Sequence, residues 1–575
     1  TPDQLRYYFA ARLGPGTGDI DLNLEDFVSR VNSDMVGKVV NIASRCAGFI
    51  HRGSGGQLAA ALPEPELYQQ FVDQRELIAD DFERRNYQSA IRRIMALADE
   101  GNRYIDEHKP WTLNKQEDQQ WVFKGMNCLA EQPQHCFVNL SPGGGDATVT
   151  REFNSISKTF VKDGFYLPLA KGSLSWIDSD TVFVSTDFGE GSMTTSGYPR
   201  IVKRWTRGTS LDSATTLYEA DVNSVSAGAS RLHSAGADID LLRDGKTFWT
   251  SERYQLVDGA TRKLELPPTA TINGAFQGRL IVSLKEDWTR GDTSYKQGTV
   301  LIADTGALQA DGKGVIDVLI EPSDTTVVQS VATTDATLLV TVLENVRGKI
   351  YRYQPGPEGT WQHTVVDFPD NGALQITSTD DKTGNFFARY ESFTSPPALY
   401  FVASEDWQPQ RIKSQAPSFD GSRYQTEQYF ATSADGTKIP YFVVQSKDLK
   451  LDGSNPTHIF SYGGFRNSLT PSYSGSYEAL SGAYGKLWLD RGGVFVLANI
   501  RGGGEFAPQR HAAAFKENMY NAFQDNEAVA EHLLKHKKTT PENQGNESRS
   551  NGAIMHDETI KRRPDKDCPV ICGVP

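Results

Sequence analysis

From about Trp111 to residue 420 the chain is a succession of short strand-like runs separated by turns of Asp, Gly, Asn and Ser. This texture does more than any other feature to limit the possible fold. Residues 181–186, 247–250, 280–284, 337–343 and 385–390 are examples. β-Branched and aromatic residues fit a pleated, half-buried surface, and turn formers at each end cut the runs short. The runs recur roughly once per 30–60 residues, which is compatible with propeller blades of about 40–50 residues. A stretch of this length would hold about seven such blades, with a stack of β-sandwiches as the competing arrangement.

The flanking segments differ. Residues 1–110 read as polar and helical, with Ile91, Ile94 and Leu97 at helical spacing and a charge mixture expected on a solvated face. Beyond Tyr429, Asp435-Gly436 is a hairpin turn between strand-like 428–432 and 439–444. Buried-type strands follow at 458–462 and 494–500, then a helix at about 521–537 with Ala528, Val529, Leu533 and Leu534 on one side. Strand, loop, strand and helix in this order predict an α/β layer.

With 575 residues the chain is too long for one core, so two or more domains are expected. A net charge of −13 argues against a nucleic-acid binder, which needs a basic face. No apolar run is long enough to span a bilayer, so no membrane partner is expected. Thr1 opens the chain without a basic start or an apolar run, so a removed leader stays possible and the compartment, cytoplasmic or periplasmic and secreted, stays open. Of the five cysteines, Cys128 and Cys136 flank a hairpin-like loop, where a disulfide is one reading and free thiols the other. Cys568 and Cys572 lack histidines at zinc spacing and read as structural thiols.

Three clusters in the last 120 residues or so can carry chemistry. Ser461-Tyr462-Gly463-Gly464-Phe465 follows a strand, and a tyrosine hydroxyl beside glycines can donate to a developing oxyanion or simply end a strand. Ala498 through Phe506 contains Gly502-Gly503-Gly504 but lacks the Gly-Lys-Ser/Thr ending of a phosphate loop. It reads as a structural turn, like Gly143-Gly144-Gly145, with Arg501 and Glu505 expected as an internal ion pair. Ser548-Arg549-Ser550-Asn551-Gly552 has the form of a nucleophile elbow in which Ser548 stands where the first glycine belongs.

Taken together and in order, Tyr462-Gly463-Gly464-Phe465, Leu469-Thr470-Pro471, Trp488-Leu489, Arg491-Gly492-Gly493, Ala498 through Phe506, His511, Lys516-Glu517-Asn518 and Thr540-Pro541-Glu542 resemble the catalytic domain of the prolyl oligopeptidase family. Ser433 through Pro440 resembles the start of that domain, Ser392 through Pro396 the last propeller blade, and Asp19 through Asp26 the family's N-terminal helix. The resemblance implies a β-propeller at 111–420, of seven blades by its length, and an α/β-hydrolase domain at 421–575. It also implies a helical segment, 1–110, that packs on the hydrolase domain.

The resemblance further implies a serine peptidase acting on short peptides after proline. Ser550 would be the nucleophile, the Tyr462 hydroxyl and the Asn551 N–H the oxyanion donors, and Phe465 the wall for the proline ring. No metal or organic cofactor is implied. Several features depart from the family. Asn546 through Arg549 is polar and reads as a poor buried strand, Ala553 replaces a glycine, and His511, His532 and His556 do not match the position of the catalytic base. The triad Asp and His are expected beyond Pro575, with the hydrolase domain incomplete in the given sequence. The alternatives are a basic-residue oligopeptidase or acylaminoacyl peptidase on the same scaffold, and an inactive propeller-based binding protein.

Overall fold

The computed structural model describes residues 2–13, 22–53, 62, 64–108, 120–357, 360–474, 483–506, 508–549, 552, 554, 558, 561 and 570–573. The chain divides into two compact units, residues 1–124 with 140–146 and residues 125–139 with 147–575.

The first unit is helical, as the polar periodicity requires. Its longest helix, Tyr87–His108, buries Ala90, Ala98 and Ile105 along one stripe, while Ile91, Ile94 and Leu97 flank that stripe and are half-buried. The preceding helices Pro65–Asp73 and Arg75–Glu83 and a π-helical stretch, Val31–Val40, make up much of the rest. Polar cross-links between helices join Lys38 to Asp99 at 2.8 Å and Arg93 to Asp81 at 2.9 Å.

In the second unit the strand runs fold as successive antiparallel sheets. A five-stranded sheet formed between residues 121 and 170 is followed by five four-stranded sheets, the last ending with Pro409–Ser414. Each sheet packs on the next. Leu174, Trp176, Val182 and Val184 of the second sheet meet Phe137 and Phe165 of the first. Val202 meets Leu242, and Leu241 meets Leu280 and Val282. Ile281 and Ile302 meet Val340 and Tyr351, and Leu339 and Ile350 meet Phe386 and Ala388. Sheet-to-sheet packing of consecutive meanders is the architecture of a β-propeller.

Six such sheets form among the described residues, where seven blades are expected from length alone. The sheets are wider apart in sequence than the assumed period because insertions such as the hairpin Trp288–Arg290 with Thr293–Tyr295 lengthen a blade without adding one. Residues 247–250, expected as a strand, instead form the turn joining Ile239–Gly245 to Ser251–Val257. Cys128 and Cys136 are joined in a disulfide across the first hairpin. Cys568 lies outside the described residues.

The hydrolase sheet comprises β1 (Tyr424–Thr432), β2 (Lys438–Ser446), β3 (Thr457–Ser461), β4 (Val494–Ala498), β5 (Gln544–Arg549) and β6 (Val570–Gly573). Their spatial order is β1-β2-β4-β3-β5-β6, antiparallel up to β4 and parallel from β4 onward. Alternate residues feed two cores. Tyr441, Val443, Ile459, Val494 and Val496 pack under helix α1 (Tyr520–Lys535) through Ala522, Val529 and Leu533. Phe442, Val444, Phe460, Phe495 and Leu497 face Phe393 of the last blade and Tyr473. Both faces being covered explains why these strands read as continuous apolar runs.

Candidate active site

Strands β4, β3 and β5 run parallel side by side, so the chain leaves all three at one edge. At the carboxyl edge of such a sheet, where strand order reverses, the loops diverge and leave room for a ligand. β3 delivers Tyr462 and the glycines after it, β4 delivers the Gly502-Gly503-Gly504 run, and β5 ends at Arg549. Ser550 and Asn551 lie outside the described residues. Gly552, just beyond them, is buried, and a Cβ placed on it would come 3.3 Å from the carbonyl oxygen of Tyr462. Two clusters far apart in sequence therefore meet at one end of the sheet.

The polar segment read as a poor strand is β5, in the interior of the sheet. Three of its polar side chains find partners, which offsets part of the cost of burying them. Ser548 is fully buried and donates its hydroxyl hydrogen to the Ser461 carbonyl at 2.5 Å. The Glu547 carboxylate lies 2.9 Å from His458 Nε2 and 3.2 Å from Arg549 Nη2. Ser548 is thus accommodated, and it imposes a constraint of its own. A Cβ on Gly552 would stand 1.9 Å from Ser548 Oγ, so position 552 has no room for a side chain.

The two glycine loops lock together backbone to backbone. Gly463 and Gly502 adopt φ of +59° and +96°, and a Cβ on Gly502 would come 2.3 Å from the Gly463 carbonyl. The Arg466 N–H donates to Gly502 O at 3.3 Å, and the Gly504 N–H to Asn467 O at 3.1 Å. Tyr462 is 6% exposed at the root of this assembly, whereas Phe465 is 74% exposed, with its backbone in the left-handed region at φ +53°.

Arg501 and Glu505 do not pair, contrary to the sequence expectation. Arg501 grips Asp525 of α1 through Nη2 at 2.7 Å and Asp435 through Nη1 at 2.5 Å, and Ser433 Oγ donates to Asp525 at 2.7 Å. Burial works to raise the Asp435 carboxyl, but its bonds with Arg501 and Thr437 bring it down to about 2. Glu505 instead accepts from the Leu469 N–H at 2.7 Å and Asn499 Nδ2 at 3.2 Å. Complete burial pushes it up to about 7 despite those bonds. Its partners are backbone and amide groups brought close by the fold, which adjacency in sequence does not reveal.

Three histidines of this domain contact groups of the domain itself. His511 Nδ1 lies 2.7 Å from Gly502 O, His532 Nδ1 is 2.6 Å from the Tyr441 hydroxyl, and His458 Nε2 is 2.9 Å from a Glu547 carboxylate oxygen. His556 lies outside the described residues. Among the described residues no group of three or more His, Cys, Asp or Glu is placed to hold a metal ion.

Comparison with known proteins agrees with this architecture. Residues 112–415 match the family model "Prolyl oligopeptidase, N-terminal beta-propeller domain", and residues 481–573 match "Prolyl oligopeptidase family". Residues 1–47 match a different one, "tRNA synthetases class I (M)", and they include the Asp19–Asp26 stretch read above as a prolyl oligopeptidase helix. An uncharacterized peptidase of Sinorhizobium fredii is 37% identical over 471 residues, 80% of this chain and 64% of its own length. One of Rickettsia prowazekii is 30% identical over 80% of this chain and 65% of its own length. The structure of a post-proline cleaving enzyme from Rickettsia typhi superposes with a TM-score of 0.64 at 29% identity, covering 81% of this chain and 68% of that one. Oligopeptidase B from Trypanosoma brucei, at 20% identity and a TM-score of 0.55, shares the fold over 80% of this chain and 63% of its own. The chain thus spans just under two thirds of the curated relatives it matches. With the propeller matched over more than half of its 575 residues, the chain belongs to the prolyl oligopeptidase family.

Proposed function

We propose that this protein is a serine peptidase that hydrolyses short peptides on the carboxyl side of proline through an acyl-enzyme on Ser550. The approach of Gly552, two residues after Ser550, to the Tyr462 carbonyl supports this reading most. Likeness to the post-proline cleaving enzyme of Rickettsia typhi supports the specificity.

In this mechanism Ser550 Oγ attacks the scissile carbonyl, and its proton passes to a base other than His458, His511 or His532. The carbonyl oxygen, now negative, accepts hydrogen bonds from the Tyr462 hydroxyl and the Asn551 N–H. Collapse expels the amine, which takes up the proton, and water then releases the acid half from the serine ester. The exposed Phe465 ring offers the proline a flat apolar wall, and a pyrrolidine has no charge that needs a partner.

The test is a fluorophosphonate probe on the full-length protein, with the adduct located by mass spectrometry and turnover compared on Pro-, Arg- and acyl-amino-acid substrates. An adduct on Ser550, absent in Ser550→Ala, together with fastest turnover after proline is the expected result. A protein that takes no adduct at Ser550 does not use Ser550 as its nucleophile. One that prefers arginine or acylated residues has the other specificity.

A further inference from the structure

A cavity of about 300 Å³ lies between the fourth and fifth propeller sheets and the two glycine loops of the hydrolase domain. Its propeller wall includes Lys285, Gln297 and Gln329, and its hydrolase wall Arg466, Gly503 and His511. Not one aspartate or glutamate is among its lining residues, although the chain as a whole carries a net charge of −13. Two basic residues, Lys285 and Arg466, both exposed, thus border a space that no acidic residue lines. Among the described residues neither the Lys285 ammonium nor the Arg466 guanidinium takes part in an ion pair or a side-chain hydrogen bond, unlike Arg501 close by.

Arg466 is also held in place. Its backbone is in the left-handed region at φ +56°, its N–H donates to Gly502 O, and a Cβ on Gly504 would come 2.2 Å from its carbonyl. It stands four positions after Tyr462 on the same loop. On the opposite wall the Gln297 side-chain amide is fixed on Lys285 O at 2.6 Å. A planar guanidinium on an anchored backbone, with a lysine on the opposite wall, suits a carboxylate, which the guanidinium can take in two parallel hydrogen bonds.

We propose that this cavity is a carboxylate subsite, in which Arg466 with Lys285 holds the negative end of a peptide whose scissile carbonyl lies at Tyr462. This rests on the peptidase reading and refines its substrate class. Short peptides with a carboxylate beyond the scissile bond, the free C-terminus or an acidic side chain, are preferred over neutral ones. The mostly polar contacts and partial solvent access set the preference at about 10-fold.

Two measurements test it. In the active full-length protein, kcat/KM is compared for a short proline peptide ending in a free acid and its C-terminal amide, and for an amidated pair with Glu or Gln in the leaving segment. An acid-over-amide ratio of about 10, carried mainly by KM, that falls toward one in Arg466→Gln and is partly kept in Arg466→Lys supports the subsite, and the Glu/Gln pair shows which carboxylate it takes. A ratio near one in the natural protein, or an equal loss for acid and amide in Arg466→Gln, overturns it. The second measurement does not depend on turnover. Fluorescence anisotropy of labelled acid and amide peptides on Ser550→Ala supports the subsite if the acid binds about 10-fold tighter and Arg466→Gln removes the difference. Equal binding of acid and amide overturns it, whereas a silent fluorophosphonate assay bears only on the peptidase reading.

Discussion

Ser548 donates its hydroxyl hydrogen to the carbonyl oxygen of Ser461 across 2.5 Å, joining the end of β5 to the end of β3 beneath the candidate oxyanion site. The same hydroxyl fills the space that a side chain at 552 would need. Gly552→Ala is expected to lower the melting temperature and any activity together, because the 1.9 Å approach forces β5 or its following turn to move. Combining it with Ser548→Gly, which vacates that space, should recover most of the loss. A double variant no more stable than Gly552→Ala in a thermal melt would show that the contact is not the cause.

Tyr462→Phe removes one hydroxyl from a buried ring at the end of β3 and leaves its packing. If that hydroxyl stabilises the oxyanion, kcat should fall about 100- to 1,000-fold with little change in KM or melting temperature. A rise in KM at constant kcat would instead place Tyr462 in substrate binding.

Asp525 holds an Arg501 side chain that is 4% exposed, while Asp435, the other partner, is 42% exposed. Asp525→Ala leaves a buried guanidinium short of its main partner and should cost roughly 3–5 kcal/mol in urea unfolding. Replacing both, as Arg501→Met with Asp525→Leu, should restore much of this, since the desolvation cost leaves with the charges. A double variant as unstable as the single one would mean that the network sets the loop conformation and not merely the charge balance.

Glu505 makes stability depend on pH in a definite direction. Its folded pKa of about 7 stands above the ordinary 4.5, so the folded chain holds this proton more tightly than the unfolded chain. The contribution is complete below pH 4.5 and is lost as pH rises through 7. Relative to Glu505→Gln, which stays neutral and can still accept from the Leu469 N–H, the natural protein should lose roughly 3 kcal/mol over that window. Parallel unfolding curves for the two proteins from pH 5 to 8 would contradict the shift.

The sequence alone determined the order of the parts, because strand, turn and helix patterns are local. Helices run up to His108, the first sheet opens at Trp121, and the strands of the last sheet begin at Tyr424. The motifs also placed Tyr462 and the glycine run directly after strands. Tertiary structure alone decided what depends on contacts between distant segments. The number of sheets was hidden because insertions blur the period. The partner of Arg501 was Asp525 on a helix rather than Glu505 nearby. The polar β5 became an interior strand with Ser548 bonded to Ser461 and Glu547 beside His458, and Arg466 and Lys285 came to border one cavity from distant parts of the sequence. Propensity and pattern act over a few residues, whereas charge pairing and cavities arise only when the sheets have closed on one another.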